Sequence, residues 1–330
     1  MTRSVLFIGG SGIISTAVVT KALEKNWAVT LLNRGTHSPP AKTAQIVGDI
    51  TLPQTILPLI QDQYFDVVCD FFTFTPQQAQ ERIALFANRC SQYIFISSAT
   101  VYQKPPATFL MTECTPKKNP FSLYAQNKIA CEEVFLQAYV DADFPVTIVR
   151  PSYTYGNTSI PWVLNSRDHR YSFIHRMKQG KPIVIPGDGT TFFTLTHNSD
   201  FAYAFEGLMG NTQAIGHAFH ITSSQAMTWD GYLQVIAKQL HIPCHICHLT
   251  SEQICTQFPE EKDALLGDKS QTALFDLSKI TTFVPSYVPR ISFEEGIKQT
   301  LAYHHAHPDE LMGFDPLWDQ KMDALINTYS

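Results

Sequence analysis

Three side chains of this 330-residue chain have the types and spacing of an acid–base centre. Ser98 sits in IFISSATVY (94–102), an apolar run that ends in hydroxyls. Tyr124 and Lys128 follow in SLYAQNKIACEEVFLQAY (122–139). Residues four apart share one face of a helix, so phenol and ammonium become neighbours there. A cation beside a phenol stabilises the phenolate and lowers its pKa from about 10. A tyrosine tuned towards neutrality moves a proton on or off a substrate hydroxyl. Ser98 can hydrogen-bond the same oxygen and orient it. The expected catalytic set is therefore Ser98, Tyr124 and Lys128. Each part alone is weak, because the Tyr–Lys spacing is common and helix tyrosines usually only pack.

Weight comes from a glycine loop at the start of the chain. GGSGIIS (9–15) lies between the apolar run VLFI (5–8) and TAVVTKALEKN (16–26). That order reads strand, glycine turn, helix. Gly9 and Gly10 allow the tight turn, and Gly12 lets the backbone approach a pyrophosphate. Free N–H groups at the helix start, on Ile13 and Ile14, suit that anion. Ser15 stands where a third glycine is usual, and its small side chain predicts a slight packing shift. The second strand ends in Asn33-Arg34, with no acid there to hold the 2′-hydroxyl of NAD. Arg34 either faces a 2′-phosphate or is simply solvated, so NADP is slightly preferred over NAD. Asp49-Ile50 follows the third strand, where Asp49 either meets an adenine amino group or shapes a turn. A nicotinamide would carry the hydride.

The elements that must position these groups alternate. Strands are expected at 5–8, 28–33, 45–49, 65–70, 92–97 and 146–150, with helices to about 26, near 53–62, at 76–88 and at 122–139. Pro76 lies near one helix start, and Ser122 is a plausible N-cap for another. Apolar strands alternating with helices imply a parallel sheet covered on both faces, the doubly wound α/β, Rossmann-type class. We expect residues 1–150 to form the NAD(P)-binding domain. Residues 151–330 would form mainly a smaller substrate-binding lobe with a C-terminal helix, and elements near 192–222 would return to the first domain. The tail at 314–330 reads as an amphipathic helix, packed on its own subunit or at a dimer contact.

Composition excludes several classes. Apolar residues make up 44 %, enough for a full core. A net charge of −5 argues against a nucleic-acid partner. Seven scattered cysteines point to a reducing compartment. No signal peptide or membrane-spanning run is expected, so the chain reads as cytoplasmic. HIPCHICHL (241–249) and HHAHP (304–308) resemble metal motifs, but the first alternates like a strand and the second ends a helix. No metal is expected. His197 is expected to be structural rather than a base.

Taken together, these segments resemble the extended short-chain dehydrogenase/reductase superfamily, its NAD-dependent epimerase/dehydratase group, over nearly the whole chain. GGSGIIS matches its GxxGxxG loop except at Ser15, and SSATVY is similar to the corresponding stretch of UDP-galactose 4-epimerases. RPSYTYG (150–156), GDGTTFFTLTHNSDFA (187–202) with His197 and Asp200, and FDLSK (275–279) match later family segments. The resemblance implies that Ser98, Tyr124 and Lys128 are the catalytic triad. It also implies that Thr100 supports the substrate or cofactor end and that the chain is a homodimer through the helices at 76–88 and 122–139; Thr100, Tyr153 and Arg167 are the expected contacts to a carbohydrate-type substrate.

Departures from the family pattern narrow this. Ala99 and Thr100 replace the Asp-Glu pair of 4,6-dehydratases, which disfavours dehydration. Phe193 and Leu265 stand where sugar-nucleotide epimerases carry diphosphate-binding arginines. Arg167, Arg170 and Arg176 are candidate substitutes, or a solvated loop. The chain also resembles the atypical branch of the superfamily, which includes RNA-binding relatives. The expected function is an NAD(P)-dependent oxidoreductase or epimerase acting on a sugar-derived, possibly nucleotide-sugar, hydroxyl or carbonyl. The alternative is a cofactor-binding regulatory or RNA-binding protein.

Overall fold

Alternate residues of the first strand, β1 (Ser4–Ile8), enter two different cores. Val5 and Phe7 pack with Val18, Val19, Phe201 and Phe205. Leu6 and Ile8 pack with Ile56, Phe86, Phe95 and Phe135. A strand that is apolar on both sides needs helices on both faces of its sheet. The computed structural model, which describes residues 2–36, 38–164, 166, 169–307 and 313–329, supplies them.

The strands continue as β2 (Ala28–Asn33), β3 (Thr43–Val47), β4 (Val67–Asp70), β5 (Tyr93–Ile96), β6 (Leu110–Met111) and β7 (Val146–Pro151). They end with β8 (Tyr153–Tyr155), β9 (Ile183–Pro186), β10 (Phe192–His197), β11 (Ala218–Ile221), β12 (Ala226–Thr228), β13 (Ile246–Leu249) and β14 (Leu274–Phe275). The main helices are α1 (Ile13–Glu24), α2 (Pro53–Ile60), α3 (Pro76–Phe86), α4 (Leu123–Ala142), α5 (Ser172–Lys178), α6 (Asn198–Leu208) and α7 (Trp229–Leu240). Helices Phe293–Ala306 and Pro316–Tyr329 close the chain. Among the described residues, no helix is long and apolar enough to cross a membrane.

Seven strands form one parallel sheet in the order β11-β7-β5-β4-β1-β2-β3. Strand order reverses between β1 and β4, which opens a crevice at their C-terminal ends. Local chemistry sets the helix starts around it. Thr75 caps α3 through Gln78 N–H, with Pro76 in its first turn, and Ser122 caps α4 through Ala125 N–H at 3.2 Å. The third strand ends earlier than its apolar pattern predicts, at Val47. The Asp49 carboxylate instead accepts the N–H and hydroxyl of Thr51, which turns the chain out of the ladder. β11 pairs with β7 in parallel, and α6 packs on α1.

The smaller lobe is an aromatic core around Trp162, Trp229, Tyr232 and Phe293. It carries the three-stranded sheet β12-β10-β8 and the pair β13-β9. The C-terminal helix buries Trp318, Met322 and Leu325 in that core. Its Asp319 pairs with Arg176 at 2.7 Å and with Lys181 at 2.5 Å. The tail thus packs on its own chain.

A buried ion pair ties the sheet to α4. Arg150, on β7, grips Glu132 through Nε (2.8 Å) and Nη2 (2.6 Å), while Ser97 donates to the same carboxylate at 2.6 Å. Burial alone would raise the Glu132 pKa, but Arg150, Lys117 and Ser97 hold it below its ordinary 4.5. Removing one partner of a buried pair leaves the other charge uncompensated, at about 3–5 kcal/mol. We expect Glu132→Leu to lose stability of that order in urea unfolding at pH 7. Because the folded carboxyl titrates low, the wild-type advantage is complete above pH 4.5 and disappears as the pH falls below it. An equal difference at pH 3 and pH 7 would contradict this.

Candidate active site

The phosphate loop is built as a continuation of β1. Gly9 N–H still bonds Leu32 carbonyl (3.1 Å), after which Gly9 and Gly10 take φ of +100° and +114°. L side chains rarely adopt such values, so glycine is required at this turn. Gly12 enters α1 in extended conformation and donates its N–H to Ser15 Oγ at 2.9 Å. The Ser15 hydroxyl donates back to Gly12 carbonyl at 3.3 Å. Ser15 therefore clips the loop from inside instead of merely displacing the helix. The N–H groups of Ile13 and Ile14 fall in the first turn, where a helix offers them no internal partner. Turn, helix start and dipole together fit a dinucleotide pyrophosphate.

The adenosine end is less committed. Asn33 Oδ1 accepts from Gly35 N–H (2.9 Å) and Gln45 Nε2 (2.7 Å), so its side chain shapes the β2 turn. Arg34 is exposed beside it. Asp49 is held below the ordinary carboxylate range, first by the two Thr51 hydrogen bonds and then by the charge of Arg34. Ile50 is buried in the core under this end.

The catalytic candidates converge where β5 ends. Ser98 Oγ accepts the N–H (3.2 Å) and hydroxyl (2.9 Å) of Thr100. With both acceptor directions used, the Ser98 proton is free to donate to Tyr124. Thr100 thus orients Ser98 with its hydroxyl proton and keeps its oxygen lone pairs as acceptors. Lys128 is buried, and its ammonium donates to the Thr73 and Ile96 carbonyls, both at 2.7 Å. Its Nζ stands 4.6 Å from the Phe74 ring centre and 5.8 Å from that of Tyr124. Burial lowers the Lys128 pKa to about 8.

The expected lowering of Tyr124 is not found. Desolvation lifts this phenol above its ordinary 10, Asp268 adds to the rise, and the hydrogen bond from Ser98 opposes it. The physical reason is that Lys128 turns its protons to two carbonyls and away from the phenol. Tyr124 remains 45 % exposed, and the neighbouring Leu123 and Phe121 are exposed as well.

The far end of the crevice departs from a diphosphate site. Phe193 is 2 % exposed and stacks on Trp229 with ring centres 4.0 Å apart. Leu265 is fully buried in the same core. Arg176 is consumed by Asp319 and Asp323, both at 2.7 Å, and is no clamp. Arg170 lines a cleft of about 620 Å³ with Ile13, Ser152, Tyr153, Thr154 and Ser159. Arg167 lies outside the described residues. Tyr153 faces this cleft but donates its hydroxyl to Asp268 at 2.6 Å. His197 caps α6, bonding Ser199 Oγ at 2.7 Å, and Asp200 accepts the Arg290 and Ile291 N–H groups.

Sequence reasoning missed the groups that hold the triad. Asp70, at the end of β4, accepts the hydroxyls of Thr73 and of Tyr93 and fixes the loop whose carbonyl Lys128 reads. Asn119 donates to both Thr100 and Gly267 carbonyls at 2.8 Å, which joins the Ser98 turn to Asp268. No spacing rule marks such partners, because they meet across the fold.

With this geometry in view, the chain can be set beside known proteins. The model of the "NAD dependent epimerase/dehydratase family" matches residues 5–222. The chain is 27 % identical over 252 residues to "Chloroplast stem-loop binding protein of 41 kDa b" of Arabidopsis thaliana, covering 72 % of this chain and 63 % of that protein. It is 25 % identical over 292 residues to "2'-dehydrokanamycin reductase" of Streptomyces kanamyceticus, covering 88 % and 81 %. In fold it is similar to UDP-glucuronic acid 4-epimerase from Bacillus cereus, solved with UDP-glucuronic acid and NAD. That match has a TM-score of 0.74 at 19 % identity and covers 92 % of this chain and all of the other.

Two outcomes are expected from the site as built. Phe193→Arg would put a cation into the Trp229 stack, and we expect several kcal/mol of lost stability, read as a lower urea midpoint. A variant as stable as wild type would show that this position opens to the cleft. A folded Lys128 pKa near 8, below the ordinary 10.5, means the unfolded chain binds more protons between those values. Wild-type stability relative to Lys128→Met should therefore rise from pH 8 towards 10.5, by up to about 1.4 kcal/mol per unit. A flat or falling difference would contradict the burial of the ammonium.

Proposed function

The chain belongs to the NAD dependent epimerase/dehydratase family, and we propose that it is an NAD(P)-dependent oxidoreductase or epimerase working at a hydroxyl or carbonyl of a sugar-derived substrate. The observation that carries this reading is the convergence of Ser98 and Tyr124 beside buried Lys128, above a phosphate loop of the right build. A nicotinamide held by Gly9, Gly12, Ile13 and Ile14 would supply or accept the hydride. Tyr124, raised in pKa, is protonated at neutral pH and ready to donate to a carbonyl oxygen. Ser98, oriented by Thr100, gives that oxygen a second hydrogen bond. Lys128 braces the floor on which both stand.

The protonated phenol favours the reducing direction, and one relative is named a reductase. Ala99 and Thr100 offer no carboxylate next to Ser98, which counts against a dehydratase. Exposed Arg34, with no acid at the end of β2, supports NADP over NAD. A homodimer through α3 and α4 belongs to the same proposal, and Val140 on α4 is 74 % exposed. A second reading, RNA binding, is motivated by the relative named for stem-loop binding. The net charge of −5 opposes it, and the absence of any gel shift at low salt would end it.

We expect Tyr124→Phe to lower kcat by about 10²–10⁴ in a cofactor absorbance assay across a carbohydrate panel, with cofactor binding retained. Unchanged turnover in that variant would remove Tyr124 from the chemistry.

A further inference from the structure

Lys104 is 3 % exposed, yet among the described residues its ammonium makes no hydrogen bond and no ion pair within 4 Å. The side chain is buried along its length while its ammonium tip stays open to solvent, so a ligand can reach a donor that no protein group occupies. Its place is fixed by the backbone: Lys104 N–H donates to Lys118 carbonyl and Gln103 N–H to Pro116 carbonyl, both at 2.8 Å. Asn119, next in the chain after Lys118, holds the carbonyl of Gly267 at 2.8 Å. Asp268 follows on a single turn of π-helix, Leu265–Lys269, a feature found often at functional sites. Gly267 is seated so closely that a Cβ there would lie 2.8 Å from Ser122 Cβ, two residues before Tyr124.

The backbones of Lys104 and Asp268 are thus each tied close to Asn119. The Asp268 carboxylate acts electrostatically on both Lys104 and Tyr124, and Tyr153 donates to its Oδ2. A gap of more than 4 Å between an ammonium and a carboxylate suits a group that accepts from one and donates to the other. A hydroxyl does both, and two adjacent hydroxyls do so with complementary geometry. A diphosphate would meet the Asp268 charge, and Phe193 and Leu265, turned into the aromatic core, offer it no cation.

We infer that Lys104 and Asp268 form a hydroxyl clamp, in which Lys104 donates to and Asp268 accepts from neighbouring hydroxyls of a carbohydrate that carries no nucleotide diphosphate. The clamp rests on the carbohydrate reading of this cleft and names its substrate class. Both residues determine specificity, and neither transfers a proton.

The test uses the full chain loaded with NADP and saturation-transfer NMR. The probes are the methyl glycosides of glucose, galactose and mannose, with UDP-glucose measured separately. We expect at least one glycoside to bind wild type and the exposed-surface variant Lys238→Ala alike, and to weaken at least fivefold in Lys104→Met and in Asp268→Asn. Lys104→Arg, which keeps the charge, should recover part of the loss. Circular dichroism melts and retained NADP binding exclude unfolding, and Asp268→Asn, close in size, serves if Lys104→Met fails to fold. The clamp is overturned if no glycoside binds wild type, if both variants bind as well as wild type, or if UDP-glucose binds tenfold tighter than every glycoside. UDP-glucose turnover that depends on Tyr124 would overturn the clamp alone. Unchanged turnover in Tyr124→Phe would instead overturn the assigned mechanism.

Discussion

Lys128 is buried, and the face that carries Ser98 and Tyr124 is organised around its ammonium. Its ammonium takes the carbonyls of Thr73 and Ile96, one after β4 and one at the end of β5. Those strands are neighbours in the sheet, and the lysine comes from α4, which lies across them. Two charged hydrogen bonds thus lock one turn of α4 over two strand ends. Tyr124 sits one turn earlier on the same helix, so its height above Ser98 follows from where Lys128 is anchored. The Asp70 carboxylate stiffens the Thr73 loop from below through Thr73 and Tyr93.

The chain treats its other buried charges in two ways. Glu132 with Arg150, and Arg176 with Asp319, are closed pairs at 2.6 and 2.7 Å. They fix α4 to β7 and the C-terminal helix to the lobe, and they have little capacity left for a ligand. Lys104 and Asp268 are different, because among the described residues the ammonium has no hydrogen-bond or ion-pair partner and the carboxylate accepts only from the Tyr153 hydroxyl. Incomplete satisfaction of buried polar groups is what a binding site provides before its ligand arrives. The crevice therefore sorts into a satisfied frame and an unsatisfied floor.

Much of this was legible in the order of residues. The apolar strands, the positive-φ glycines and the caps Thr75 and Ser122 act within a few residues, so local pattern reveals them. The Tyr124–Lys128 spacing correctly placed both on one helix. It did not reveal where the lysine points, because backbone carbonyls from distant strands compete for the ammonium. For the same reason the Tyr124 pKa goes up where the pair alone suggests down. Thr100 was expected to support the substrate or cofactor end, and its hydroxyl proton also orients Ser98 two residues away. Asp49 offered two roles by position: its Oδ1 builds the Thr51 turn, and Oδ2 stays available for an adenine amino group.

By itself the sequence determined the doubly wound sheet, the turn into α1, and which residues could move a proton. These follow from periodicity, glycine torsions and side-chain type, all properties of short segments. Only the tertiary structure decided which of those groups are free to act. It put Phe193 and Leu265 into an aromatic core, tied Arg176 to the C-terminal helix, and set the backbones of Lys104 and Asp268 each close to Asn119. Burial and competition for hydrogen bonds depend on what the rest of the chain brings into contact, and residues more than 100 positions apart meet there.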